Sequence, residues 1–125
     1  MRRRNFLLLA GAATVVGALP LRAAEKTKIG IIGSGRVGSA IGAVWVKAGH
    51  EVMFSSRTLE NDKALAARLG GGARAGTPRE AAAFGEVVMV SVPYRALPDV
   101  GKDVGDLLKG KVVIDTCNPF PGRDG

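Results

Sequence analysis

From Lys28 onward, short apolar runs alternate with stretches whose apolar residues recur at helical spacing. Lys28–Ile32, Glu51–Phe54, Glu86–Val92 and Lys111–Asp115 read as strands, each bounded by Gly, Pro, Asn or charged residues. They are nearly continuous in Val, Ile and Met, the pattern of parallel strands covered on both faces. Between them, Val37, Ile41, Val44 and Ala48 fall on one stripe of a helix over Val37–Ala48, and Gly49 stops it. Leu59–Leu69 predicts a second helix, closed by Gly70-Gly71-Gly72. Pro78–Phe84 predicts a third, with Thr77 placed to cap it, Pro at the first position and Glu80 at the third. Ala96–Leu108 predicts a fourth helix, and Ala73–Ala75 a short strand. This alternation calls for a doubly wound parallel sheet of about five strands with right-handed crossovers. The expected strand order is 3-2-1-4-5, with a cleft at the switch between the first and fourth strands. The tail Asn118–Gly125 reads as loop, and no internal repeat or low-complexity linker interrupts the chain.

The segment before Lys28 follows a different pattern. Arg2-Arg3-Arg4 precedes an uncharged run from Phe6 to Leu19. That run of about 14 residues matches a signal-peptide core and falls short of the roughly 20 needed to span a bilayer. Arg3-Arg4-Asn5-Phe6-Leu7-Leu8 resembles the twin-arginine export signal, which carries folded proteins across the inner membrane. The expectation is a signal peptide over residues 1–24, a single domain over residues 25–125, and a periplasmic location. An ordinary secretory signal, or an uncleaved leader anchoring the chain to the inner membrane, is the alternative. Cleavage near Ala23-Ala24 lacks a clean small-x-small pattern, because Leu21 or Arg22 falls at the minus-three position.

The leader also changes how the charge is read. The whole chain carries a net charge of +7. Arg2, Arg3, Arg4 and Arg22 lie in the leader with no acid, so removing these four leaves +3 for the domain. With one Trp, one Tyr and no basic run in the body, nucleic acid is not an expected partner, and a membrane is expected only through the export signal. Cys117 is the only cysteine, so the chain cannot form an internal disulfide. One His, one Cys and scattered acids do not make a metal-ligand set.

The chemistry is concentrated in KIGIIGSGRVGSA, Lys28–Ala40. Gly33, Gly35 and Gly38 form G-x-G-x-x-G between a strand and a helix, the context that makes this pattern a dinucleotide site. Gly33 permits the tight turn, Gly35 lets a pyrophosphate approach the backbone, and Gly38 lets the helix pack closely. Free N–H groups at the helix start then face the phosphates, with Ser34, Arg36 and Val37 as neighbouring contacts.

The second strand selects the dinucleotide. About 20 residues after the first glycine, an NAD site presents an acid to the ribose 2′-hydroxyl. Counting from Gly33 reaches Met53-Phe54, followed by Ser55-Ser56-Arg57-Thr58 with no acid. Two hydroxyls and a guanidinium suit a 2′-phosphate, which favours NADP over NAD. Thr58 is also placed to cap the next helix. At the end of the fourth strand, Ser91-Val92-Pro93 turns across the same cleft, and Tyr94 either covers a ring or packs on the surface. After the fifth strand, Asn118 either hydrogen-bonds near the nicotinamide or serves as an Asn-Pro turn former. His50 reads as surface structure away from the cleft and Trp45 as packing. Cys117 lacks a histidine to activate it, so no catalytic residue is assigned.

Lys28–Ala40, Gly49-His50-Glu51-Val52, Ser55-Ser56-Arg57, Val90-Ser91-Val92-Pro93 and Asp115–Pro119 together resemble the NADP oxidoreductases dependent on coenzyme F420. More distantly they are similar to pyrroline-5-carboxylate reductases and other β-hydroxyacid-type dehydrogenases. The resemblance covers nearly all of residues 27–122. It implies a Rossmann-type domain and reversible hydride transfer between NADP(H) and a deazaflavin, a flavin-like molecule or another small acceptor. In that family nicotinamide and flavin rings stack face to face, so positioning does most of the work. Members of the family continue with an acceptor and dimerisation segment, which the expected domain lacks. A homodimer that supplies the acceptor pocket is one expectation. A nucleotide-binding module without catalysis of its own, or a redox subunit completed by a partner chain, stands beside the enzyme reading.

Overall fold

The computed structural model describes residues 25–124; the export-signal reading of residues 1–24 lies outside them. Five strands form one parallel sheet in the order β3-β2-β1-β4-β5. They are β1 (Lys28–Ile32), β2 (Glu51–Ser55), β3 (Ala73–Ala75), β4 (Val87–Val90) and β5 (Val112–Asp115). Helices α1 (Arg36–Lys47), α2 (Leu59–Leu69), α3 (Pro78–Phe84) and α4 (Leu97–Val104) connect them, which makes the chain an α/β domain of Rossmann type.

Alternation along the strands separates two apolar layers. Ile29, Ile31, Val52, Phe54, Leu65 and Met89 form one, with Ile41 and Trp45 of α1 packed against it. Ile32, Ala82, Val88, Val90 and Val104 form the other, under α3 and α4. Trp45 is therefore packing, as its place in the first helix suggested. The central strand needs Gly30, because a Cβ there would collide with the Ala81 carbonyl of α3. That close approach brings α3 down onto β1 and lets its N-terminus border the cleft described below.

The start of α3 follows from its sequence. Thr77 Oγ1 accepts from the Glu80 backbone N–H, and Glu80 Oε1 accepts from the Thr77 N–H, both at 3.1 Å. Pro78 occupies the first turn, where no N–H partner is needed. The bonds from Thr77, the backbone one foremost, hold the Glu80 carboxyl below its ordinary value. A depressed carboxylate stabilises the fold at neutral pH, and this contribution is lost as pH falls through its folded-state value.

Three local expectations change. The segment expected as one helix over Ala96–Leu108 is α4 flanked by 3₁₀ turns at Tyr94–Ala96 and Gly105–Leu107; Gly101 and Gly105 weaken the helix and Pro98 fixes its first turn. The tail expected as loop contains a helical turn, α5 (Pro121–Asp124), started by proline at its first position. β5 is not covered on both faces among the described residues. Val112, Val113 and Ile114 remain 62%, 44% and 37% exposed, because no described element packs outside this edge strand. No helix among the described residues is long and apolar enough to cross a membrane.

Candidate nucleotide site at the carboxyl ends of the strands

The site begins where β1 ends. Gly33 N–H donates to the Ser55 carbonyl at 2.9 Å, and Ser91 N–H donates to the Ile32 carbonyl at 2.8 Å. These bonds clamp the glycine loop between the ends of β2 and β4. Gly33 sits at φ +102°, and a Cβ there would also collide with the Ser91 carbonyl. Gly38 is buried, and its missing side chain lets α1 close on the Gly33 carbonyl. Gly42, one turn on, leaves the space filled by the Phe54 ring.

Gly35 differs from these three. It is the N-cap of α1 in extended conformation, and a Cβ there would meet no atom within 4 Å. The space above it is open. No side chain caps the first turn of α1, and that turn holds no acid. Unsatisfied N–H groups and the positive end of the helix dipole therefore face this space, an arrangement suited to an anionic pyrophosphate.

Two clefts flank Gly35. The larger, about 630 Å³, lies toward β2 and α4. Gly33, Ser34, Ser56, Arg57, Arg95 and Asp99 are among the residues that line it. The smaller, about 270 Å³, lies toward β5 and is bordered by Arg36, Val37, Cys117 and Asn118. Gly35 and Ser91-Val92-Pro93 border both, so the two form one trough across the glycine loop. A dinucleotide has this form, with two lobes joined through a pyrophosphate. The residues present thus fit such a cofactor.

Of the residues singled out in the sequence, Gly33, Ser34, Gly35, Arg36, Val37, Ser56, Arg57, Ser91, Val92, Pro93 and Asn118 meet along this trough. Gly38 lies beneath it. Ser55 does not face it: the residue is fully buried, and its hydroxyl donates to the Ile31 carbonyl at 2.6 Å. Its alternating position on β2 turns it into the sheet, where it ties β2 to β1. Thr58 takes the N-cap position of α2, but its hydroxyl makes no capping bond. Instead its backbone N–H donates to Ser56 Oγ at 3.1 Å.

Arg57 is exposed, and among the described residues its guanidinium has no ion-pair partner. Asp62, absent from the residues expected at the site, belongs to it. It is fully buried on α2, and its two carboxylate oxygens accept from Ser34 Oγ and from Ser56 Oγ, the latter at 2.7 Å. One carboxylate thus joins the glycine loop to the β2–α2 loop. A signal existed: Asp62 falls on the apolar stripe of α2 with Leu59, Leu65 and Leu69, where a charge requires partners.

At the other end of the trough, Val92 N–H donates to Cys117 Sγ at 3.4 Å, and Cys117 N–H donates to Asp115 Oδ1 at 2.7 Å. Burial, the largest influence, pushes the Cys117 thiol above its ordinary value, and the side chain packs against the second apolar layer. His50 Nδ1 accepts from the Thr27 N–H at 3.1 Å and belongs to the opposite end of the sheet. Among the described residues, no three His, Cys, Asp or Glu side chains converge as a metal site.

Comparison with known proteins identifies the family and the fold. The family model described as NADP oxidoreductase, coenzyme F420-dependent, matches residues 28–119. Among solved structures, the imine reductase from Myxococcus stipitatus in complex with NADP+ superposes with a TM-score of 0.64 at 24% identity, over 76% of this chain and 33% of that one. Streptomyces aurantiacus imine reductase gives 0.64 at 30% identity, over 76% and 33%. A crystal structure titled as a putative F420-dependent NADP reductase from Arthrobacter sp. FB24 gives 0.63 at 22% identity, over 74% and 46%. The chain spans about a third of the length of these imine reductases. A comparison with curated proteins yields no match.

Proposed function

This chain belongs to the family of coenzyme F420-dependent NADP oxidoreductases, and we propose that its trough holds NADP(H) for hydride transfer to a small acceptor. NADP is the family's cofactor. The observation that carries the reading is the open space over Gly35, at the uncapped start of α1, between two clefts of unequal character. In this reading the larger cleft takes the adenosine end, with Arg57 as the cation for a 2′-phosphate. The smaller cleft takes the nicotinamide, bordered by Val37, Pro93 and Asn118.

When bound, NADPH would supply the hydride, and Val37, Pro93 and Asn118 are the residues that would hold its nicotinamide end. Among the described residues, the side chains that border the smaller cleft include no His, Asp or Glu, an arrangement suited to acceptors that need only a hydride and correct stacking. A deazaflavin or flavin-like molecule is such an acceptor, and this is the class we assign. The test is NADPH oxidation by the full chain, offered deazaflavins, flavins, ferric chelates and imines. Turnover with a deazaflavin or flavin supports the assignment. Binding without oxidation of any acceptor would favour the nucleotide-binding module, or a subunit completed by a partner chain.

Cofactor choice has its own test. Arg57→Ala is expected to weaken NADPH by about 30-fold, the scale of a charge-assisted bond, while NADH changes by less than about threefold. Equal losses for both would remove Arg57 from the 2′-phosphate site.

Export by the twin-arginine route belongs to the same proposal, supported by Arg3-Arg4-Asn5-Phe6-Leu7-Leu8. Replacing Arg3 and Arg4 together by Lys is expected to retain the protein in the cytoplasm on cell fractionation. Unchanged export would point to the ordinary secretory route. A homodimer is likewise proposed, and sedimentation showing only monomer would reject it.

A further inference from the structure

We propose that Asp62 is a specificity-determining residue that narrows the preference of this site for NADPH over NADH. The inference rests on the NADP(H) reading of the trough. Ser34 and Ser56 stand on its wall beside Arg57, where hydroxyls would ordinarily donate to a 2′-phosphate. Each hydroxyl has one proton. The acceptors in reach lie on the inner side: Ser34 Oγ donates to one oxygen of the buried Asp62 carboxylate, and Ser56 Oγ has the other at 2.7 Å, with the Thr58 carbonyl farther off at 3.2 Å. Ser56 Oγ also receives the Thr58 N–H. Toward the trough, these serines therefore present lone pairs.

A lone pair is the wrong partner for a phosphate oxygen and the right one for a ribose 2′-hydroxyl, which can donate. The same carboxylate places a negative charge directly behind the serines, with no cationic partner within 4 Å among the described residues. Arg57 attracts the 2′-phosphate from the open side, and Asp62 opposes it from below. The acid that an NAD site carries at the end of its second strand is absent here, and a carboxylate one helical turn into α2 acts on the same region through two serines. Asp62 is a positioning residue in this account, because it acts on the ligand through Ser34 and Ser56.

The decisive experiment compares dissociation constants for NADPH and NADH by calorimetry on the full chain and on Asp62→Asn. The amide keeps the shape and can still bond both serines, but it removes the charge and frees one hydroxyl proton. The NADPH-to-NADH affinity ratio is expected to rise about tenfold, mainly through tighter NADPH. A ratio that stays unchanged or falls, in a variant with native circular dichroism, overturns the inference while leaving the binding reading intact. Should the wild-type chain bind neither nucleotide, the binding reading itself fails and this inference falls with it.

Ser56→Ala gives an independent decision if Asp62→Asn does not fold. It removes the lone pair that faces a ribose 2′-hydroxyl, so the NADPH-to-NADH affinity ratio is expected to rise about threefold or more, mainly through weaker NADH. A ratio that stays unchanged, or that falls because NADPH weakens, would mean that Ser56 donates to the phosphate or does not face the ligand, contrary to the proposal.

Discussion

Gly35→Val is expected to leave the domain folded and to remove its affinity for NADPH. Gly35 has φ −70° and ψ −158°, a conformation that any residue adopts, and a Cβ there has no neighbour within 4 Å. Nothing in the fold resists the added side chain, so the unfolding midpoint should move by no more than about 3 °C. The isopropyl group would instead occupy the space above the first turn of α1, where a pyrophosphate meets the backbone N–H groups. Losing that approach is expected to weaken NADPH at least 100-fold, roughly 3 kcal/mol. Thermal unfolding and a fluorescence titration check the two halves separately. A variant that still binds NADPH with wild-type affinity would show that the anion does not sit over Gly35.

The opposite outcome is expected two residues earlier. Gly33→Ala puts a Cβ at φ +102° and drives it into the Ser91 carbonyl, in a turn clamped by two strand-end hydrogen bonds. Backbone strain and collision together should cost about 3 kcal/mol or more of folding stability, a large part of what a domain this size possesses. Urea denaturation measures it, and a midpoint equal to wild type would refute the account of the turn. The two glycines of one motif are thus expected to serve different ends: Gly33 to hold the chain, and Gly35 to leave room for a ligand.

Which parts of this were legible in the sequence follows from where the determining interactions lie. The β1 and α2 boundaries, the short β3 strand and the Thr77 cap come from local patterns, and the structure reproduces them. The strand order follows from right-handed crossovers once the alternation is seen. The fourth helix is shorter than its periodicity implies, because glycines are tolerated at helix ends and periodicity alone does not find those ends. Ser55 adjoins Ser56 and Arg57 in sequence yet lies outside the trough. Neighbouring strand residues face opposite sides, and the sequence does not say where β2 stops alternating. The link from Asp62 to Ser34 spans 28 positions and depends on how α2 docks against the glycine loop. Only the apolar stripe around Asp62 hinted at it.

The central claim is that residues 28–119 form a seat for NADP(H), and the most direct measurement is a titration of the full chain with NADPH. Enhanced nicotinamide fluorescence with saturation at one molecule per chain, competed by NADP+ and lost in Gly35→Val, is the predicted result. No saturable signal from a chain with native circular dichroism would contradict it.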